Sequence, residues 1–213
     1  MRAMIRSVSR VIGMIAISGS LSCGDVARLG RAPAMLVIDQ IEAAPGTDPT
    51  TLGGFLLSDV QTLVQQQVNG QAVRVATIFN DVGRATLRLV MKDQGTGGLG
   101  VSPSDLNAVT LNRYHINYRR ADGQNTPGVD VPYPIDGGLG VTICVCGPTE
   151  VGFEMVRHQA KLEQPLRSMA GFGGRLFIST IAEITFYGVD LAGNEVRATG
   201  NISVSFGDYA DPD

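Results

Sequence analysis

The chain has few of the residues that enzymes use as catalytic bases. Its 213 residues include no Trp, only two His and three Cys, and 6% aromatic residues. His is the usual general base at neutral pH, and no G-x-S-x-G, S-x-x-K or H-E-x-x-H motif is present. The sequence therefore predicts a protein that is not an enzyme and that uses no cofactor.

The share of charged residues is also modest. Charged residues make up 17% of the chain and apolar residues 44%, which is the balance of a globular domain. Lys and Arg form no basic stripe, which argues against nucleic acid as a partner, because that affinity comes largely from cations at phosphates. The 27 Gly and 10 Pro interrupt helical hydrogen bonding and favour many short strands.

Residues 1–22 have the pattern of a secretory signal peptide. Three Arg and no acid precede an apolar stretch, 11–17, that is too short for the ~20 residues of a membrane-spanning helix. Its removal leaves 14 basic residues against 20 acidic ones and moves the net charge from −3 to −6. Cys23 follows small residues directly, which resembles a bacterial lipoprotein signal and implies lipid attachment at Cys23. Cleavage after Ser20 or Ser22 without a lipid is the alternative.

The remaining chain is predicted to be a tether at 23–33, a β domain at 34–207 and an acidic tail at 208–213. AMLVIDQIEAA opens the domain as a strand, and residues 71–92 contain two alternating segments that predict an antiparallel hairpin. A change of parity in NAVTLNRYHINYRR predicts a bulge near Asn112 and Arg113. FLLSDVQTLVQ and VGFEMVRHQAKLEQPLRSM fit either a strand or a helix.

The last two segments, LFISTIAEITFYGVD and EVRATGNISVSF, predict a closing hairpin. Its Asp190-Leu191-Ala192-Gly193-Asn194 turn resembles that of bacterial immunoglobulin-like and fibronectin-type modules. With turn signals at roughly even spacing, the pattern indicates an antiparallel β-sandwich of about seven to nine strands. In its order of signal, Cys, tether and sandwich, the chain resembles uncharacterised secreted bacterial lipoproteins.

Three interpretations compete for Cys144-Val145-Cys146. A disulfide requires a turn, because residues i and i+2 of a strand are too far apart, and Gly147 and Pro148 could provide it. Both thiolates with His115 and His158 would supply zinc-ligand types at an unusual spacing. Two small thiols packed in or near the core is the interpretation we favour. An envelope hydrolase or metal-dependent protein using these four residues is the alternative function.

Acidic residues recur near turns and at the C-terminus. Asp190 and Asn194 lie in the closing hairpin, and Asp208, Asp211 and Asp213 lie in the tail. No calcium-binding loop motif is present, so we expect these residues to be solvated and the tail to be frayed.

The stretch YRRADGQNTPGVDVPYPID predicts a long connection from residue 119 to about residue 139, ahead of a strand that starts near Gly140. Long loops of this kind are commonly functional, although this one could also cover a sheet edge. Its contact-forming residue types are those of a recognition loop: Arg119, Arg120, Asp122, Asp130 and Tyr133.

We therefore expect an exported, non-catalytic binding or structural module of the cell envelope. Its membrane contact would be through the N-terminal lipid only, facing the periplasm or the cell surface. Its partner would be a protein or a glycan. A subunit of a larger envelope assembly fits the same features.

Overall fold

The computed structural model describes residues 30–93, 101–172 and 175–209, and most of these are β-strand, as expected for an all-β protein. The predicted signal peptide at 1–22, Cys23, Asp211 and Asp213 lie outside the described residues. The described elements are β1 (Ala34–Ala44), β2 (Phe55–Asp59), β3 (Thr62–Val68), β4 (Gln71–Thr77), β5 (Asp81–Met91), β6 (Val109–Arg119), β7 (Ile135–Ile143), β8 (Thr149–Val156), α1 (His158–Leu162), β9 (Phe177–Asp190) and β10 (Glu195–Gly207), with 3-10 helices at Asp105–Asn107 and Leu166–Met169.

Two sheets enclose one apolar core. The first has the order β1-β5-β8, and the second, a curled sheet, has the order β2-β10-β9-β6-β7. All neighbours are antiparallel except β2 and β10, which are parallel. The alternating apolar residues of both sheets meet in a single cluster, which includes Leu36, Leu87, Val151, Ile116, Ile184 and Phe206. β3 and β4 form a separate two-stranded hairpin.

Strong alternation predicted three local features correctly. β1 has the predicted residues, and β9 and β10 pair as the closing hairpin over their whole length. The register of β6 against both neighbours shifts between Leu111 and Arg113, which is the predicted bulge. The bulge lets Leu111 and Tyr114 both point into the core.

Pairing between distant segments was predicted less well. The two segments of 71–92 do not form a hairpin: β4 pairs with β3, whereas β5 pairs with β1 and β8. The ambiguous segment 151–169 contains both alternatives, since it ends β8 and then forms α1. The strand expected near Gly140 starts at Ile135, because 135–138 pair with β6. The connection is thus shorter than predicted.

Two acidic residues expected to be solvated are buried. Asp190 is 7% exposed, and its carboxylate accepts hydrogen bonds from the N–H groups of Ala192 and Asn194 at 2.9 and 2.8 Å. Burial acts to raise the pKa of Asp190, but the side-chain amide of Asn194, which donates to Oδ2 at 2.8 Å, and these backbone bonds together outweigh burial and lower the pKa. Asp208 is 2% exposed, and its Oδ2 accepts a bond from Gly171 N at 2.6 Å. Residues 208 and 209 are therefore bonded to the fold, Asp208 through Gly171 and Tyr209 through Asp59.

The ring of Tyr114 packs on bare backbone in the neighbouring strand. Tyr114 of β6 is 4% exposed and lies opposite Gly137 of β7. A Cβ on Gly137 would collide with this ring, whereas a Cβ on the next residue, Gly138, would meet open space. Gly137 is therefore a packing requirement of the β6–β7 pair.

We expect Gly137→Ala to lower the free energy of unfolding by about 1–3 kcal/mol, because the added methyl group overpacks the Tyr114 ring. Urea denaturation of the two proteins measures this change. Gly138→Ala is the matched control, and it should be neutral or slightly stabilising. Equal effects at both positions would contradict the packing assignment.

Candidate recognition groove

The connection between β6 and β7, residues 120–134, is organised by its own hydrogen bonds. Arg120 Nε donates to Asp122 Oδ1 at 3.1 Å, and Asp122 Oδ1 also accepts from Gln124 N at 3.1 Å. In the second half, Asp130 Oδ2 accepts from Thr126 N at 3.0 Å, while Asp130 N donates to Thr126 O at 2.9 Å. These short-range bonds fold the loop into two turns, as is typical of Asp in loops.

The hydrogen bond from Arg120 lowers the pKa of Asp122, with a smaller contribution from the N–H of Gln124. Asp122 is therefore ionised at neutral pH. Its function within the chain is to fix the first turn.

The end of the loop is anchored in the core and presents an aromatic ring outward. Val131 is 1% exposed, and Pro132 is also buried. Tyr133, the next residue, is 52% exposed and its ring lies over Gly128, whose φ of 75° and lack of Cβ permit the contact. A buried anchor beside an exposed ring fixes Tyr133 in place.

A second segment faces this ring across an open groove. The groove encloses about 670 Å³ and is lined by Gly128, Tyr133, Leu162, Glu163, Gln164 and Arg167. Leu162, the last residue of α1, is 46% exposed. Polar groups around exposed apolar ones are usual at interfaces. We call this the recognition groove.

A buried ion pair holds α1, and with it the second wall, to the sheet. The Nζ atom of Lys161, in α1, lies 2.9 Å from the Oδ1 atom of Asp81, the first residue of β5. Both side chains are 1% exposed. Asp81 Oδ1 also accepts from Gly46 N at 2.9 Å, and its Oδ2 accepts from Ser58 Oγ at 2.6 Å. Consecutive residues of α1 thus point in opposite directions: Lys161 inward and Leu162 into the groove.

The residue before Asp81 makes a second attachment to the same helix. Asn80 Oδ1 accepts from the N–H of His158 at 2.7 Å, and Asn80 Nδ2 donates to Glu154 Oε1 at 2.8 Å. The start of β5 therefore fixes α1 at two points, one turn apart.

Burial raises the pKa of Asp81, and the charge of Lys161 and the hydroxyl of Ser58 oppose that shift. Burial likewise raises the pKa of Asp59, whose Oδ1 accepts from Tyr209 N at 3.0 Å. Asp81 is therefore a buried carboxyl group and Asp59 a partly buried one. The sequence indicated a possible helix at 156–166, which includes α1. Nothing in the sequence indicated that Lys161 pairs with Asp81.

The five residues predicted for recognition have different positions. Tyr133 lines the groove. Arg120, Asp122 and Asp130 hold the loop together, and Arg119 ends β6 with an exposed side chain. Leu162 and Arg167 were not predicted, because only the fold brings the segment 158–167 to the loop.

Cys144 and Cys146 are joined as a disulfide in the structure, with Cα atoms 5.3 Å apart. The strand β7 ends at Ile143, so the two residues lie in a turn that includes Gly147, with φ of 132°. Cys146 is exposed, which differs from the two core thiols that we favoured. The turn supplies the close approach that an extended strand cannot.

The two His residues have separate partners. His115 Nδ1 lies 3.1 Å from Asp136 Oδ1, and His158 Nδ1 lies 2.9 Å from Asn80 Oδ1. In residues 30–93, 101–172 and 175–209, no group of three or more His, Cys, Asp or Glu residues is arranged to hold a metal ion. The structure thus does not bring the four residues of the alternative function together as a metal site.

Comparison with protein families, curated proteins and solved structures finds no match to the chain. Within the part of the chain that the structure describes, no helix is long and apolar enough to cross a membrane.

We expect Lys161→Met to lower the free energy of unfolding by about 3–5 kcal/mol, because it leaves the Asp81 carboxylate buried without its cation. Urea denaturation measures the loss. Arg88→Met is the matched control, since Arg88 Nε lies 2.7 Å from Asp39 Oδ1 in an exposed pair that should contribute less than about 1 kcal/mol. A Lys161→Met effect as small as the control would show that the buried pair does not hold α1.

Proposed function

We propose that the chain is a non-catalytic binding module of the bacterial cell envelope, exported and lipid-anchored at Cys23, that recognises a protein or glycan partner through the recognition groove. The observation that carries the proposal is the pairing of Tyr133 and Leu162, two exposed apolar side chains, across one open groove. Exposed aromatic residues set among polar ones are the usual centres of binding energy in interfaces.

The groove supplies complementary contacts for such a partner. The Tyr133 ring offers an apolar face for stacking, and its hydroxyl can donate a hydrogen bond. Glu163, Gln164 and Arg167 add an acceptor, an amide and a cation along the other wall. This mixture suits the alternating apolar and hydroxyl faces of a sugar, or a short peptide with a polar side chain.

We further propose that the two sheets are a variant of the immunoglobulin-like or fibronectin-type sandwich. The closing β9–β10 hairpin with its Asp190–Asn194 turn supports this assignment. In such sandwiches the loops at the ends of the sheets carry recognition while the strands supply a rigid frame. The β6–β7 connection is likewise a loop at the end of two paired strands of its sheet.

We expect a photo-crosslinking amino acid at position 133 to capture a partner in intact cells of the source bacterium. A partner seated in the groove lies within reach of this side chain. The matched control is the same amino acid at Leu191, which is 67% exposed in the β9–β10 turn and does not line the groove. Gel shift and mass spectrometry identify the adducts, and a glycan array tests carbohydrates directly.

A specific adduct or glycan signal should weaken at least about tenfold in the Tyr133→Ala protein and persist in Leu191→Ala, because truncation of a central aromatic contact commonly costs 1–2 kcal/mol or more. Adducts of equal yield at positions 133 and 191, or a partner whose binding survives Tyr133→Ala, would refute the groove as the binding site.

A further inference from the structure

Lys161 and Asp81 place an amine and a carboxyl group in contact, away from water. The amine nitrogen lies 2.9 Å from one carboxyl oxygen, and each side chain is 1% exposed. The two residues are 80 positions apart in the sequence and belong to different elements, so the fold alone brings them into contact. Intramolecular placement of this kind can raise the effective concentration of a reactant to about 10⁵ M or more.

We propose that the side chains of Lys161 and Asp81 condense into an intramolecular amide, which covalently ties α1 to β5. The bond joins Lys161 Nζ to Asp81 Cγ, and one water molecule is released. The reaction uses only these two groups, and no oxidant, reductant or further reactant takes part.

The arrangement around the carboxyl group supplies a path for each atom. Two protons pass from Lys161 Nζ to Asp81 Oδ1 along the existing hydrogen bond, one before and one after the lone pair of the amine attacks Cγ. The Cγ–Oδ1 bond then breaks, and Oδ1 leaves as water. Oδ2 carries the negative charge of the tetrahedral intermediate, where the Ser58 hydroxyl donates to it from 2.6 Å.

Burial favours this reaction over a lasting ion pair. An ammonium and a carboxylate in the interior bear a desolvation cost that their attraction only partly repays, whereas an amide and a released water molecule do not. The raised pKa of Asp81 is consistent with a carboxyl group that accepts the first proton readily. The N–H of Gly46, 2.9 Å from Oδ1, keeps the carboxyl plane fixed while Nζ approaches.

The intact mass of the purified, reduced chain tests the proposal. We expect a mass lower than that of the unmodified chain by one water molecule, and a tryptic digest in which the peptides containing Lys161 and Asp81 are linked to each other. Lys161→Met should give the full unmodified mass, as Asp81→Ala should. The full mass in folded wild-type protein, with the two peptides separate, would overturn the proposal without reference to any variant.

Two further variants separate the amide from other losses of water. Asp81→Asn should form the same bond by releasing ammonia, so its final product should have the mass of the wild-type product. Ser58→Ala, followed after cell-free synthesis, should form the bond roughly 10²–10³ times more slowly, because it lacks the donor to Oδ2. A loss of water that persists in Lys161→Met would place the modification elsewhere and refute the assignment.

Discussion

The contact between Lys161 and Asp81 is the constraint on which one wall of the recognition groove depends. α1 has only five residues, too few to be stable as a helix by itself, and it follows β8 after a single residue. Its position is fixed from below, where Lys161 reaches Asp81 and the backbone of His158 reaches Asn80. Asp81 begins β5, the middle strand of its sheet, and Asn80 directly precedes it, so this wall of the groove is attached to a strand that is paired on both sides.

The features that were predicted from sequence are those that a single strand determines. Burial of alternate residues along most of β10 sets its two faces, and the parity change in β6 requires an extra residue whatever the strand pairs with. The predictions that failed concern strand pairing, which depends on a distant partner segment. β5 alternates well enough to pair with β4, but the Asn69-Gly70 turn joins β4 to β3 instead, with Asn69 at φ of 53°. The Asn-Gly dipeptide was the sequence signal that could have predicted the β3–β4 hairpin.

Only one wall of the candidate site, the loop with Tyr133, was predicted from the sequence, and the reason is related. An exposed, Pro-rich connection with Tyr133 is visible in the sequence, because such composition disfavours both strand and helix. The opposite wall is not visible in the sequence. Lys161 and Asp81, which hold this wall, are residue types common at protein surfaces, and they are 2% and 1% exposed only because of their tertiary contacts. Charged residues are rarely buried without a partner, and one sequence shows the charges but not which of them meet.

Rigidity on both sides of the groove would favour the binding that we propose for it. A loop that becomes ordered only on binding spends part of its interaction energy on lost conformational freedom. Here the Asp122 and Asp130 turns are already formed, and Val131 is already seated in the core beside Tyr133. The facing wall is pinned through Lys161, and a covalent bond at that position would prevent it from separating from β5. A partner would therefore meet two walls already in place, and more of each contact would count toward affinity.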